Sequence, residues 1–80
     1  MERFCTLDAL AVGQEAAVTG LRGLPEETLS RMTALGFAPG GSVRAVQESP
    51  WGDPVAYEVC GAVIALRRED ARGIEVSITT

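Results

Sequence analysis

The sequence predicts an all-β fold: a small β-barrel of five short strands, with one helix inserted between the first and second strands. Short alternating apolar stretches recur along the chain, glycine-rich turns separate them, and one stretch alone has the apolar spacing of an amphipathic helix. At 80 residues, the chain is expected to form a single domain, residues 1–80. A helical bundle is not expected, because no second amphipathic helix is present to pack against the first.

The first part of the chain predicts a helical turn followed by a strand. Leu7 and Leu10 are three residues apart, which suits one helical turn closed by Gly13. Residues 14–21 are bounded by glycines and place small and apolar side chains alternately on two faces, which predicts the first strand.

One stretch carries the signals of a longer helix. Pro25 has the fixed φ that suits the first helical position, and the two glutamates after it favour the positive end of the helix dipole. Leu29, Met32 and Leu35 recur at three-residue spacing and are predicted to close one open end of the barrel. Gly36 is predicted to end the helix in a left-handed conformation.

The remaining four strands are predicted in the second half of the chain. Pro39 and Gly40 suit the central positions of a type II turn, and a strand of about six residues follows them. Residues 48–54 are dense in turn formers and are predicted to interrupt the ladder. The last three strands are predicted at residues 55–60, 62–66 and 74–78.

The last two strands differ in their predicted burial. The wholly apolar run at 62–66 indicates a strand buried on both faces. The polar connection after it is long enough for a one-turn helix. In the closing strand, the aliphatic side chains of Ile74 and Val76 are predicted to point inward and those of Glu75 and Ser77 outward.

The charge balance limits the class of protein. All 7 basic residues are arginine, against 11 acidic residues, and the net charge is −4. A nucleic-acid ligand is not expected, because the chain has no basic stripe to replace phosphate counterions. The longest apolar run is far shorter than a membrane span, and the first residues lack the apolar core of a signal peptide. A cytoplasmic protein without direct membrane insertion is therefore expected.

The residue types needed for catalysis are sparse. Histidine is absent, and no P-loop, dinucleotide or metalloprotease motif is present, so the sequence predicts a protein that is not an enzyme and has no cofactor. Cys5 and Cys60 are expected to be reduced thiols, Cys60 as a packing residue or strand-face thiol and Cys5 without a role. No spacing of candidate ligands assigns residues to a metal site.

Surface contacts are the remaining candidates for function. Trp51 stands in a polar loop, and two interpretations are open: a lid folded back over the barrel end, or an anchor for a protein partner. The adjacent arginines either pair with Glu58, Glu69 or Asp70, or meet an acidic groove on a partner. Binding residues concentrate on the polar connections of a rigid scaffold. The predicted partner-binding residues are Trp51, Gly52, Asp53, Arg67 and Arg68.

Three motifs occur in order along the chain: LGFAPGGSV at 35–43, PWGDP at 50–54, and VCGAVIALRREDARGIEV at 59–76. Together with the early L-x-x-L-x-x-G at 7–13, they resemble the ferrous iron transport protein A family, FeoA. The resemblance covers nearly the whole chain. It implies a Src-homology-3-like (SH3-like) barrel with a helical insertion after the first strand, which agrees with the fold predicted from the residues.

The resemblance also implies a function. Members of that family are small cytoplasmic accessory proteins of bacterial ferrous iron uptake. The implied role is a non-enzymatic module that binds the cytoplasmic GTPase domain of the membrane ferrous iron transporter B, which recruits it to the inner face of the membrane. The alternative is a metal-binding chaperone for iron or zinc, or a sensor barrel related to the C-terminal domain of iron-dependent repressors. A barrel edge left open would offer a surface for pairing between copies, as a homo-oligomer.

Overall fold

The computed structural model of the protein describes residues 2–79, which form a six-stranded antiparallel sheet with two short helices and a 3₁₀ turn. The ends of the predicted domain, Met1 and Thr80, lie outside these residues. The elements in chain order are β1 (Glu2–Thr6), the 3₁₀ turn (Leu7–Ala9), β2 (Glu15–Leu21), α1 (Glu26–Leu35), β3 (Ser42–Glu48), β4 (Val55–Val59), β5 (Ala62–Leu66), α2 (Arg68–Ala71) and β6 (Ile74–Thr79).

The strands lie in the order β1-β6-β2-β3-β4-β5. The last strand of the chain is therefore in the interior of the sheet, between β1 and β2, and β1 and β5 are its two edges. The predicted all-β class, the inserted helix and the one-turn helix before the last strand are confirmed. The sheet is open at both edges, so the predicted barrel is a partly open one.

β1 is the strand that the sequence does not predict. It carries Glu2 and an exposed Phe4, so no alternation of buried apolar side chains marks it. Every residue of β1 nevertheless pairs with β6, from Glu2 opposite Thr79 to Thr6 opposite Glu75. β1 is a strand because its backbone hydrogen-bonds to β6, which is buried. The pattern of apolar and polar side chains does not reveal such backbone pairing. As a result α1 follows the second strand, not the first.

The core packs the inner face of the sheet against residues from the 3₁₀ turn, α1 and the loop after α1. Of the three predicted closing residues of α1, Met32 is fully buried and Leu35 packs partly against the core, but Leu29 is 38% exposed. The fully buried Phe37 returns to the core directly after the helix. Because the chain re-enters the core there, the C-terminal turn of α1 covers the core, and Leu29 in its first turn stays outside.

The prediction that residues 62–66 are buried on both faces is wrong. Val63 is 64% exposed, Ala62 and Ala65 are also exposed, Ile64 is half-buried, and Leu66 is buried. The reason is the position of β5 at the sheet edge, where β4 is its single neighbouring strand. The apolar run therefore belongs to an edge strand and not to a strand with a neighbour on each side.

β6 is the strand that is enclosed. Ile74 and Val76 are fully buried, as their alternation predicts, but Ser77 is also buried, with 5% of its surface exposed. The expectation that Ser77 faces solvent is wrong because β1 and β2 flank the strand. The Ser77 hydroxyl donates a hydrogen bond of 2.6 Å to the Glu2 carboxylate, which satisfies it in place of water.

The turn chemistry follows the prediction. Gly36 ends α1 with a φ of 110°. In the next turn, the N–H of Gly41 donates to the carbonyl of Ala38 at 2.9 Å, and Gly40 has a φ of 91°. Pro39 and Gly40 thus occupy the central positions, as a type II turn requires.

The Gly36→Ala variant is expected to lose about 2–4 kcal/mol of unfolding free energy, because strain and a steric clash add. A Cβ at position 36 would lie 2.5 Å from the Cys60 sulfur and 3.2 Å from its Cβ. Gly40→Ala is the matched control, since Gly40 also has a positive φ but no atom within 4 Å of an added Cβ. Urea denaturation of both variants measures the difference. Equal losses would contradict the clash.

Tyr57 provides a pH-dependent probe of the core. It is the single tyrosine of the chain, is 1% exposed, and donates a long hydrogen bond of 3.4 Å to the carbonyl of Leu7. Burial raises the pKa of Tyr57 to about 12, although the nearby Arg68 guanidinium lowers it in part. An unfolded tyrosine ionises near pH 10, so the unfolded state loses this proton first. The Tyr57 contribution is therefore constant below pH 10, and the free energy of unfolding falls between pH 10 and about 12.

This shift is measurable because tyrosinate absorbs in the near ultraviolet. We expect a titration midpoint of about 12 for the folded chain and about 10 in concentrated urea. Tyr57→Phe keeps the ring and is expected to remove this alkaline loss of stability. A midpoint near 10 for the folded chain would show that the phenol is not in the buried environment described here.

Candidate protein-docking surface

The loop between β3 and β4, residues 49–54, is held in a compact conformation by its own backbone. The N–H of Gly52 donates to the carbonyl of Ser49 at 2.8 Å, and the N–H of Ser49 donates to the carbonyl of Pro54 at 3.2 Å. Gly52 has a φ of 80°, which glycine adopts without strain. The prolines and glycine that interrupt the ladder in the sequence therefore build an ordered tip on the β3–β4 hairpin.

Trp51 extends from this tip into solvent with 91% of its surface exposed. Of the two interpretations left open by the sequence, the lid folded over the barrel end is wrong. The indole is a large apolar group in polar surroundings, and tryptophan is among the residues most enriched at the centres of protein interfaces. An exposed tryptophan on an ordered loop is thus the strongest candidate for a binding anchor.

Arg68, the first residue of α2, connects this loop to the rest of the domain. Its Nε donates to the carbonyl of Gly52, and its Nη1 donates to the carbonyl of Asp8 at 2.9 Å. Its Nη2 lies 3.6 Å from Glu48 Oε1, and its backbone N–H donates to Asp53 Oδ1 at 3.0 Å. The planar guanidinium can reach Gly52, Asp8 and Glu48 together because its donors are fixed in one fork.

The five predicted residues lie in one region of the structure, but they differ in their exposure and in their contacts. Gly52 and Asp53 bind Arg68 from the loop, and Arg67 is exposed next to Arg68. The alternative that the arginines pair with Glu58, Glu69 or Asp70 is wrong for Arg68, because its ion-pair partner is Glu48. The acids that the sequence suggests as partners include Glu58 and Asp70, which pair instead with Arg44 at 3.0 Å and Arg31 at 3.7 Å.

Two residues of this surface were not found from the sequence. Glu48 ends β3, and Asp8 lies 60 residues before Arg68, in the 3₁₀ turn. Asp8 also pairs with Arg72 through its carboxylate at 3.7 Å. No local pattern could have indicated either contact. The contact with Asp8 depends on the packing of α2 against the 3₁₀ turn, and the contact with Glu48 depends on the pairing of β3, β4 and β5.

The other candidate sites have less definition. Two shallow depressions of roughly 530 and 310 Å³ lie on the sheet, and Cys60 lines the smaller one. Cys5 and Cys60 are free thiols, and Cys60 occupies a hairpin turn instead of a strand face. Within residues 2–79, no group of three or more His, Cys, Asp or Glu side chains is arranged to hold a metal ion. Among the same residues, no helix is long and apolar enough to cross a membrane.

The small open sheet, the helix after β2 and the short α2 define an SH3-like domain. The sequence profile of the FeoA domain matches residues 5–78. The chain therefore belongs to the FeoA family, and the resemblance seen in the sequence motifs is confirmed.

Two similar proteins connect this family to ferrous iron transport. A fusion of Fe(2+) transport protein A with the Fe(2+) transporter FeoB, from Porphyromonas gingivalis, is 35% identical over 72 residues. The match covers 90% of this chain and 8% of the length of that protein. The crystal structure of Stenotrophomonas maltophilia FeoA complexed with zinc is 31% identical, with a TM-score of 0.79 and coverage of 89% of this chain and 87% of that one. It is described as a procaryotic SH3 domain protein.

A manganese-dependent transcriptional repressor shares the fold. It is 15% identical, with a TM-score of 0.85, and the match covers 99% of this chain and 44% of the repressor. At this identity the similarity concerns the architecture alone.

The Arg68→Gln variant is expected to lower the free energy of unfolding by about 1–3 kcal/mol, since it removes charge-assisted hydrogen bonds from a partly buried side chain. Arg67→Gln is the matched control, and its exposed side chain predicts a change within about 0.5 kcal/mol. Hydrogen exchange at the Gly52 amide should accelerate in Arg68→Gln and not in Arg67→Gln. If both variants exchange as the native chain does, Arg68 does not hold the loop.

Proposed function

We propose that this protein is a cytoplasmic, non-enzymatic accessory module of ferrous iron uptake. It binds the cytoplasmic GTPase domain of the membrane ferrous iron transporter B and thereby modulates transport or GTP hydrolysis. The observation that carries this proposal is the exposure of Trp51, 91%, on a loop that Arg68 ties to the domain. Binding to the transporter recruits the chain to the inner face of the membrane.

The fusion protein of Porphyromonas gingivalis supports this choice of partner, because it joins a transport protein A and a transporter FeoB in one polypeptide. Covalent linkage raises the effective concentration of two modules that act together. In a separate chain, the same association has to rest on surface contacts.

The docking residues have different roles in this proposal. Trp51 is the anchor that enters a pocket on the partner, and Arg67 offers an exposed positive charge to an acidic rim. Gly52, Asp53 and Arg68 hold the loop in one conformation. A loop that is ordered before binding loses less conformational entropy on association, which favours affinity.

The Trp51→Ala variant is expected to weaken binding to the purified cytoplasmic GTPase fragment of the cognate transporter by about 30-fold or more, the loss typical of an interface hot spot. Its thermal midpoint should match that of the native chain, since the side chain is exposed. Phe4→Ala is the matched control, because Phe4 is a 68% exposed aromatic residue on the edge strand β1. Isothermal titration calorimetry measures all three chains.

The binding measurements test the choice of anchor residue and the choice of partner separately. Native-like binding by Trp51→Ala would show that Trp51 is not the anchor, whereas no binding by the native chain would reject the GTPase domain as partner. Micromolar binding of Fe(II) or Zn(II), abolished when Cys5 and Cys60 are both replaced by serine, would favour the alternative function as a metal-binding chaperone or sensor.

A further inference from the structure

The two edges of the sheet differ in their protection against further strand pairing. β1 carries the charged residues Glu2 and Arg3, which discourage the approach of another strand. β5, with the sequence AVIAL, has no charge and no proline, and its ladder with β4 has no bulge. Natural proteins usually blunt an exposed edge by one of these means. The edge at β5 has none of them, so it is open to pairing with another strand.

The hairpin geometry identifies the backbone groups that β5 presents. Its turn consists of Cys60 and Gly61, whose φ values of 51° and 78° are those of a type I′ turn. Such a turn makes the flanking residues Val59 and Ala62 a hydrogen-bonded pair, and the bonding direction then alternates along the strand. The N–H and C=O groups of Val63 and Ala65 therefore point away from β4.

We propose that β5 is the interface between two copies of this chain. The sequence leaves open whether a sheet edge pairs with a second copy, and the geometry of β5 gives such pairing a defined register. An antiparallel second copy, related by a two-fold axis at Ile64, places Val63 of each copy opposite Ala65 of the other. All four outward groups on each edge are then paired, which is the self-complementarity that a symmetric interface requires.

The side chains fit the same register. The pairing places Ile64 against Ile64 across the axis and covers Val63, which is 64% exposed in the single chain. Although each copy has a net charge of −4, no like charges meet, because β5 contains no charged residue. A five-residue strand pair buries less than the roughly 1,000 Å² of a stable interface, so the dimer forms reversibly and depends on concentration.

The test uses the full chain in analytical ultracentrifugation from about 10 μM to 1 mM, the range of weak association. The native chain is expected to shift from monomer towards dimer. Val63→Lys places a charge against the second copy, and Ala65→Pro removes an outward N–H without disturbing the β4 ladder. Each should raise the dissociation constant at least tenfold. Val12→Lys, at a 52% exposed valine in a turn outside the strands, is the charge-matched control and should dimerise as the native chain does.

Hydrogen exchange gives a second measure. At high concentration the amides of Val63 and Ala65 should gain protection, whereas that of Ile64, bonded to β4, should be protected at every concentration. A chain that stays monomeric to 1 mM, a dimer unaffected by Val63→Lys, or species larger than a dimer would each overturn the proposal. So would a monomeric native chain whose binding to the transporter fragment is lost in Val63→Lys, since the edge would then serve a foreign strand.

Discussion

The pairing of β6 with both β1 and β2 is the constraint on which the rest of the structure depends. The last strand of the chain lies next to the first, and its side chains Ile74 and Val76 are fully buried between them. This pairing closes the longest loop in the chain, and its entropic cost is offset by burial of a strand that places three apolar side chains in the core. It also explains why an exposed, charged segment such as β1 is a strand at all.

The same pairing brings together the residues of the candidate docking surface. The chain enters β6 through α2 and leaves β1 through the 3₁₀ turn, so the two connections meet where β1 and β6 are joined. Arg68 and Asp8 come into contact there, and Arg68 extends from that point to Gly52. Besides its own backbone hydrogen bonds, the Trp51 loop is thus held by contacts between segments that are far apart in sequence.

How far the sequence predicts this structure depends on the range of the interactions. Local chemistry was sufficient for the end of α1 at Gly36, the turn at Gly40 and the loop that carries Trp51. The exposure of β5, the position of Leu29 and the role of Arg68 depend on which elements become neighbours. In particular, the apolar run of β5 has the same composition at a sheet edge as in a sheet interior, and strand order alone distinguishes the two. The five candidate residues could be chosen because binding residues concentrate on connections, but the contacts that order the loop could not be predicted.

Glu2 and Thr79 are opposite each other in the ladder, which places the two ends of the described chain at the same corner of the sheet. A linker attached to either end therefore leaves the domain from nearly the same point. The domain can in principle be inserted within another polypeptide or appended to it without rearrangement of its core. Joining the present ends and opening the backbone at an exposed turn should likewise yield a circular permutant with the same sheet.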